Sequence, residues 1–111
     1  MKKIIAGKVY NTATAEVIVC MYKGIPSQDF DYYNASIHRT TKGALFLYEE
    51  GGCRSKMGRQ YGNNTEGSSD IKAISDTDAV EIIQEWHTQS YIDAKDITKA
   101  MSMLGIELEE A

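Results

Sequence analysis

Proline is nearly missing from this chain, and tryptophan, cysteine and histidine are scarce: one, one, two and two residues respectively. Two cysteines, Cys20 and Cys53, do not make the disulfide framework of a small secreted domain, and they read most simply as free thiols of a reducing compartment. His38 and His87 each stand alone in their segments. No CxxC, HxxxH or acidic calcium loop occurs, so nothing at metal-ligand spacing is present. Long apolar runs are also lacking, and no stretch approaches the roughly 18 residues of a membrane span. Met1-Lys2-Lys3 begins like a signal peptide, but the apolar run Ile4-Ile5-Ala6 stops at Gly7-Lys8. These absences predict a soluble, cytoplasmic protein without metal or cofactor.

What remains is ordinary globular material: 111 residues, 42% hydrophobic and 25% charged. That length fits one domain, and such a domain can bury enough apolar surface to fold without covalent staples. The net charge of −4 hides an asymmetry. Residues 1 to 75 hold ten Lys/Arg against seven Asp/Glu, whereas 76 to 111 hold two against nine. An acidic end beside a mildly basic body can steer association with basic surfaces. Two solvated helices with acidic outer faces would give the same count.

Periodicity divides the chain. Lys3 to Tyr10 reads as a small strand pair turning at Ala6-Gly7. Asn11 and Thr12 are good N-caps and Gly24 a good stop, so Thr12 to Tyr22 is predicted helical, although Val17-Ile18-Val19 favours strand. Pro26 to Asp29 is a loop. Between Phe30 and Thr40, Tyr33, Ala35 and Ile37 alternate with Asn34, Ser36 and His38, the period of a half-buried strand. Thr41-Lys42-Gly43 turns the chain, and Ala44 to Tyr48 is the second arm of a central hairpin. Residues 51 to 70 form a long basic loop rich in Gly, Ser and Asn, with a short edge strand at Ile71 to Ile74.

Two helices close the chain. Ser75 or Asp76 caps the first, which lines up Ala79, Ile82, Ile83 and Trp86. Asp93 caps the second, with Ile92 and Ile97 as a hydrophobic staple and Ile97, Ala100, Met101 and Leu104 on its apolar face. Gly105 and Ile106 suit a Schellman ending, and the acidic tail Glu107 to Ala111 is expected to fray. The predicted fold is therefore α+β: a small antiparallel sheet built on the central hairpin, one N-terminal helix and two C-terminal helices, all in one domain.

Little in the sequence looks catalytic. Gly62 to Ser69 copies the glycine spacing of a P-loop, but Ser68 stands where the phosphate-contacting lysine belongs. Cys53 follows Gly51-Gly52 and precedes Arg54 and Lys56, cations that would favour its thiolate. It still needs an oriented base, which spacing does not provide. The stronger candidate is a binding element made of Arg54, Lys56, Arg59 and Tyr61, three cations and an aromatic that suit phosphates and a stacked base. The negative net charge argues against a free nucleic-acid binder, and favours contact within a larger complex. The second candidate is the acidic helical end, through Asp78, Glu81, Glu85, Asp93 and Asp96.

Lys3-Ile4-Ile5, Gly7, Tyr10, Thr12 and Thr14-Ala15 resemble the opening of a family of small, largely uncharacterised proteins carried by phages, plasmids and conjugative elements of Gram-positive bacteria. The likeness continues through Arg39-Thr40, Lys42-Gly43, Phe46-Leu47, Glu50-Gly51-Gly52, Ser55-Lys56 and Gly62-Asn63-Asn64, and ends near Ser75, Ala79 and Trp86. The resemblance implies an accessory protein that neutralises a host defence complex, in its sharpest form an anti-CRISPR inhibitor of an RNA-guided nuclease. It would work in the host bacterial cell and needs no cofactor. Such nucleases hold nucleic acid in basic channels. The acidic helices would occupy such a channel, or the basic loop would grip guide RNA. Three alternatives stand beside it: a nucleic-acid-binding accessory or regulatory module using the 53 to 61 loop, a small enzyme using Cys53, and a structural component of a phage or plasmid system.

Overall fold

Four antiparallel strands carry the molecule: β3 (Glu16–Lys23), β4 (Tyr33–Arg39), β5 (Leu45–Gly51) and β8 (Ser68–Ile74), adjacent in that order. The computed structural model describes residues 1–26 and 28–108. Ser27 of the predicted loop, and the last three residues of the predicted frayed tail, lie outside the described residues. Two ribbons accompany the sheet, β1 (Lys2–Ile5) with β2 (Lys8–Asn11) and β6 (Arg59–Tyr61) with β7 (Asn64–Glu66). Helices α1 (Asp76–Thr88) and α2 (Ala94–Met103) follow the last strand.

The predicted N-terminal helix is wrong: residues 16 to 23 are an edge strand of the sheet. What looked like an N-cap is a local turn. The Asn11 side-chain oxygen accepts from the Ala13 amide at 2.9 Å, and its carbonyl accepts from Ala15 at 3.2 Å. This is the competing use of short polar side chains, closing a turn rather than starting a helix. Beyond it the β-branched run Val17-Ile18-Val19 decides for the strand. A bulge between Val17 and Val19 leaves Ile18 as an extra residue, so that Ile18 and Val19 both enter the core.

Residues 51 to 70 are also not one long loop. Gly62, at φ +61°, turns β6 into β7 in a two-residue connection, and β8 begins at Ser68, earlier than the predicted Ile71. The central hairpin forms as predicted, with Ile37 opposite Leu47 and Gly43 at φ +88° in its turn. So does the N-terminal ribbon, which turns through Ala6 and Gly7 at φ 50° and 77°.

Alternation assigns the two faces of the sheet. Val19, Met21, Ala35, Ile37, Leu45 and Leu47 point to the front and pack with Ala79, Ile83, Trp86, Ile92, Ala100 and Met101 of the helical end. Phe46 and Ile71 point to the back, where Tyr10 of the ribbon meets Phe46 edge-on at 5.6 Å. His38 stacks on Phe46 at 4.9 Å, and its Nε2 lies 2.7 Å from the Ser36 hydroxyl. Burial, and next the charge of the N-terminal ammonium, hold the His38 imidazole below its usual range. Lys3 ties the ribbon to the sheet through Asp70 at 2.7 Å and the Ile71 carbonyl at 3.2 Å.

Both helices start in reciprocal capping boxes, Ser75 with Asp78 and Asp93 with Asp96. α2 ends as its sequence predicts, with Gly105 at φ +77° and the Ile106 amide donating to the Met101 carbonyl at 2.8 Å. α1 ends the same way, with Ser90 in the left-handed position and Tyr91 donating to Trp86. No described helix is long and apolar enough to cross a membrane.

Candidate functional site

A cleft of about 440 Å³ opens on the front of the sheet, between the chain that follows β5 and the C-terminal half of α1. Met21, Leu47, Ile82 and Trp86 supply its apolar lining. Lys23, Arg54 and Lys56 bring positive charge to it, and Asp31 and Glu85 bring negative charge. The alternation of β3 and β5 explains the floor, and the spacing of Ile82, Glu85 and Trp86 on α1 explains the wall.

The basic side of the cleft rests on a buried carboxylate. Glu49 continues the inward series Leu45, Leu47, and its side chain is only 4% exposed. It accepts a hydrogen bond from the Tyr33 hydroxyl, and pairs with Lys56 at 2.9 Å and Lys72 at 3.8 Å. Burial pushes the Glu49 carboxyl up, but the bonds from Tyr33 and Lys56 and the two lysine charges outweigh it and hold the group below the usual range. Tyr33 answers in the other direction. Burial, then the bond to Glu49, push its phenol up to about 12. The Lys56 ammonium also lies 4.5 Å from the centre of the Tyr33 ring, a cation–π contact. Desolvation works against its charge, yet its contacts with Tyr33 and Glu49 raise its pKa on balance.

Lys56 therefore pins residues 52 to 58 to the sheet, and local bonds finish the job. The Ser55 hydroxyl donates to the Gly52 carbonyl at 2.8 Å and accepts from the Met57 amide at 3.1 Å, while Met57 is buried. Gly52 and Arg54 donate to the carbonyls of Tyr32 and Phe30 at 3.0 and 2.8 Å. Only glycine fits at position 52, because a Cβ there would stand 2.3 Å from the Phe30 carbonyl oxygen. The segment is an ordered shelf.

The structure divides both predicted residue sets. Arg54 and Lys56 face the cleft, with the Arg54 guanidinium 5.7 Å over the exposed Phe30 ring. Arg59 and Tyr61 lie outside the cleft on the β6–β7 ribbon, where Arg59 is across from Glu66 and borders a small recess with Lys56, Glu49 and Lys72, and Tyr61 is exposed. Of the acidic set, Glu85 alone faces the cleft, where it accepts from Gln89 at 3.2 Å. Glu81 is exposed one turn earlier on α1. Asp78, Asp93 and Asp96 close the capping boxes, and Asp93 and Asp96 also border a shallow recess with His87 and Tyr91.

Cys53 is half-buried in the shelf. Neither histidine bonds to it among the described residues: His38 is engaged with Ser36 on the back of the sheet and His87 is exposed on α1. The Ser36–His38 pair resembles a hydroxyl and its base. Its Nδ1 is buried without a partner among the described residues, so nothing orients the ring as a nucleophile's base requires. Gly62 to Ser69, the imitation P-loop, is the β6–β7 turn and the strands around it. Among the described residues no group of three or more His, Cys, Asp or Glu converges as a metal site would require.

Glu49, Lys23 and Asp31 escaped sequence reasoning, whereas the alternation of its strand had already set Tyr33 on one face with Ala35 and Ile37. Glu49 had a signal, since extending the period-two series from Leu45 and Leu47 places it on the core side. Lys23 and Asp31 had none, because their meeting depends on the pairing of β3 with β4. Comparison with protein-family models, with curated proteins and with solved structures finds no match.

Proposed function

We propose that the protein acts by binding, docking a protein or ribonucleoprotein partner on the front cleft and the shelf beside it. The observation that carries this reading is the shelf itself. A buried carboxylate and a phenol hold Lys56, and a backbone bond to Phe30 holds Arg54, beside an apolar floor with Glu85 across the gap. Prefixed charges around apolar area lower the ordering cost of association. Mixed signs at the rim suit a protein surface better than a bare phosphate backbone, which wants uniform positive charge.

Taken with the resemblance to mobile-element proteins, the reading sharpens to an accessory protein that inhibits a host defence complex, with an RNA-guided nuclease as the partner to test first. The two predicted patches then make different demands. Asp78, Asp93 and Asp96 already cap helices, which leaves Glu81 and Glu85 as the acidic residues free to meet a basic channel.

The test is a pull-down of an RNA-guided nuclease with tagged protein, with and without ribonuclease, repeated with Arg54→Glu and with the pair Glu81→Lys and Glu85→Lys. Capture that is lost in either variant supports docking here, and loss on ribonuclease treatment assigns the contact to guide RNA. Failure to capture the nuclease sinks the inhibitor reading, and salt-sensitive shifts of bare RNA or DNA would favour the nucleic-acid module through Arg59 and Tyr61.

A further inference from the structure

The open edge of the sheet supports a second inference, on a strand whose Met21 and Lys23 also line the cleft. The β8 edge is engaged by the N-terminal ribbon, since Lys3 reaches the Ile71 carbonyl at 3.2 Å and Asp70 at 2.7 Å. β3 has β4 as its one strand neighbour among the described residues. Among the described residues, no backbone group of 16 to 23 bonds to anything except β4. Edge strands left open are templates for another strand. The side chains of this one indicate which.

Its pairing with β4 fixes seven rows. Glu16, Val17, Val19, Cys20, Met21, Tyr22 and Lys23 lie opposite Arg39, His38, Ile37, Ser36, Ala35, Asn34 and Tyr33, and Ile18 is the bulged extra residue. The bulge centres the series on Cys20. Turned end for end about that row, Glu16 meets Lys23, Val17 meets Tyr22 and Val19 meets Met21. Each match joins residues of the same face, as an antiparallel ladder requires. Without the bulge the same strand would set front residues against back ones. The two ends carry opposite charges, Glu16, which also pairs with Arg39 of its own β4, and Lys23. Val17 and Tyr22 are 47% and 69% exposed on the back, two apolar surfaces left open among the described residues.

We propose that β3 is a self-complementary edge that pairs antiparallel with β3 of a second copy of this chain, about a two-fold axis through Cys20. The pairing joins two four-stranded sheets into one of eight strands. Glu16 of each copy then faces Lys23 of the other, and Val17 covers Tyr22. The charged ends select the register and exclude slipped pairings, while the ladder bonds and the covered apolar pairs hold the copies together. An isologous contact of this kind closes at two copies and does not propagate.

Sedimentation velocity of the full chain over a range of concentrations tests the pairing. The parent chain is expected to pass from monomer to dimer. Glu16→Lys alone and Lys23→Glu alone each place two like-charge pairs in the interface, and each is expected to weaken association roughly tenfold. In a mixture of the two single variants, one copy carries lysine at both end positions and the other carries glutamate at both. Opposite charges then face each other at both ends, which restores a mixed dimer, as damage to the monomer fold would not do.

Directly opposed strand residues have Cα atoms about 4.5 to 5.5 Å apart, within disulfide reach. Diamide should therefore link two Cys20 thiols, taking up two electrons and two protons, in a Cys53→Ser background but not in Cys20→Ser. A chain that stays monomeric at every concentration overturns the proposal. So does a dimer indifferent to both charge changes, or one that links only through Cys53.

Discussion

Replacing Glu49 by glutamine removes the charge of the buried β5 carboxylate that anchors the shelf and leaves its shape unchanged. The carboxylate is 4% exposed, whereas Lys56 and Lys72 are 65% and 66% exposed. Charge-assisted bonds to a buried group contribute about 1.5 to 3 kcal/mol. Solvent around the two ammonium groups screens the ion pairs toward about 0 to 1 kcal/mol. Glutamine keeps an acceptor for Tyr33 but turns an amide donor toward an ammonium. The expected loss is about 2 kcal/mol at neutral pH, a fall of roughly 1 to 2 M in the urea midpoint for a chain of this size.

The pH dependence gives a second handle. The folded carboxyl titrates below its ordinary value, so its contribution is complete above the ordinary carboxylate range and is lost as pH falls through the folded value. The gap between parent and Glu49→Gln should therefore close in acid. Amide hydrogen exchange should quicken at Met57 and Gly58 in the variant while the α2 amides hold. A variant as stable as the parent at neutral pH would refute the account of the shelf as fixed by Glu49.

Tyr33→Phe should alter the alkaline limb. The raised phenol pKa stabilises the fold fully below the ordinary tyrosine value near 10, and that contribution is lost as pH rises through about 12. After discounting for the partly exposed ring it amounts to about 1 to 2 kcal/mol, so denaturant midpoints of parent and variant should converge across that window. Gly52→Ala sets a methyl 2.3 Å from the Phe30 carbonyl oxygen and should lower the melting temperature by on the order of 10 °C, from about 2 kcal/mol of overpacking. An unchanged melting curve would show that the chain from 30 to 32 gives way freely.

The elements that could be read in advance carry their instructions within a few residues. α2 is the clearest case. Its cap, staple, apolar stripe and stop all fall between Ile92 and Ile106, and all are used. The Tyr33–Gly51 hairpin is similar, with alternation on both arms and a glycine between them. Residues 12 to 23 failed because the local signals conflicted. Asn11 offers the same side-chain oxygen to a turn as to a helix, and the strand won through pairing with β4, an interaction outside any local window. The β6–β7 ribbon failed for want of signal, since all six of its strand residues are exposed and leave no apolar alternation to read. The cleft was half legible. Arg54, Lys56 and Glu85 stood out as charges, but the buried carboxylate that holds Lys56 is known only once β5 is seen to run on to Gly51.

The bond from Lys3 to Asp70 spans 67 residues, and with Tyr10 on Phe46 and Ile71 it holds the N-terminal ribbon in place. During synthesis the ribbon leaves the ribosome before the strands it docks on, and its docking surface is complete only when β8 emerges. A lone two-stranded ribbon is marginal in water. For most of translation Ile5 and Tyr10 therefore have nowhere to go, while β3, β4 and β5 can zip together in sequence behind them. Closure of the back face is a late event in the life of the chain, and a pause in elongation before Ser68 would extend the interval in which Phe46 stands uncovered.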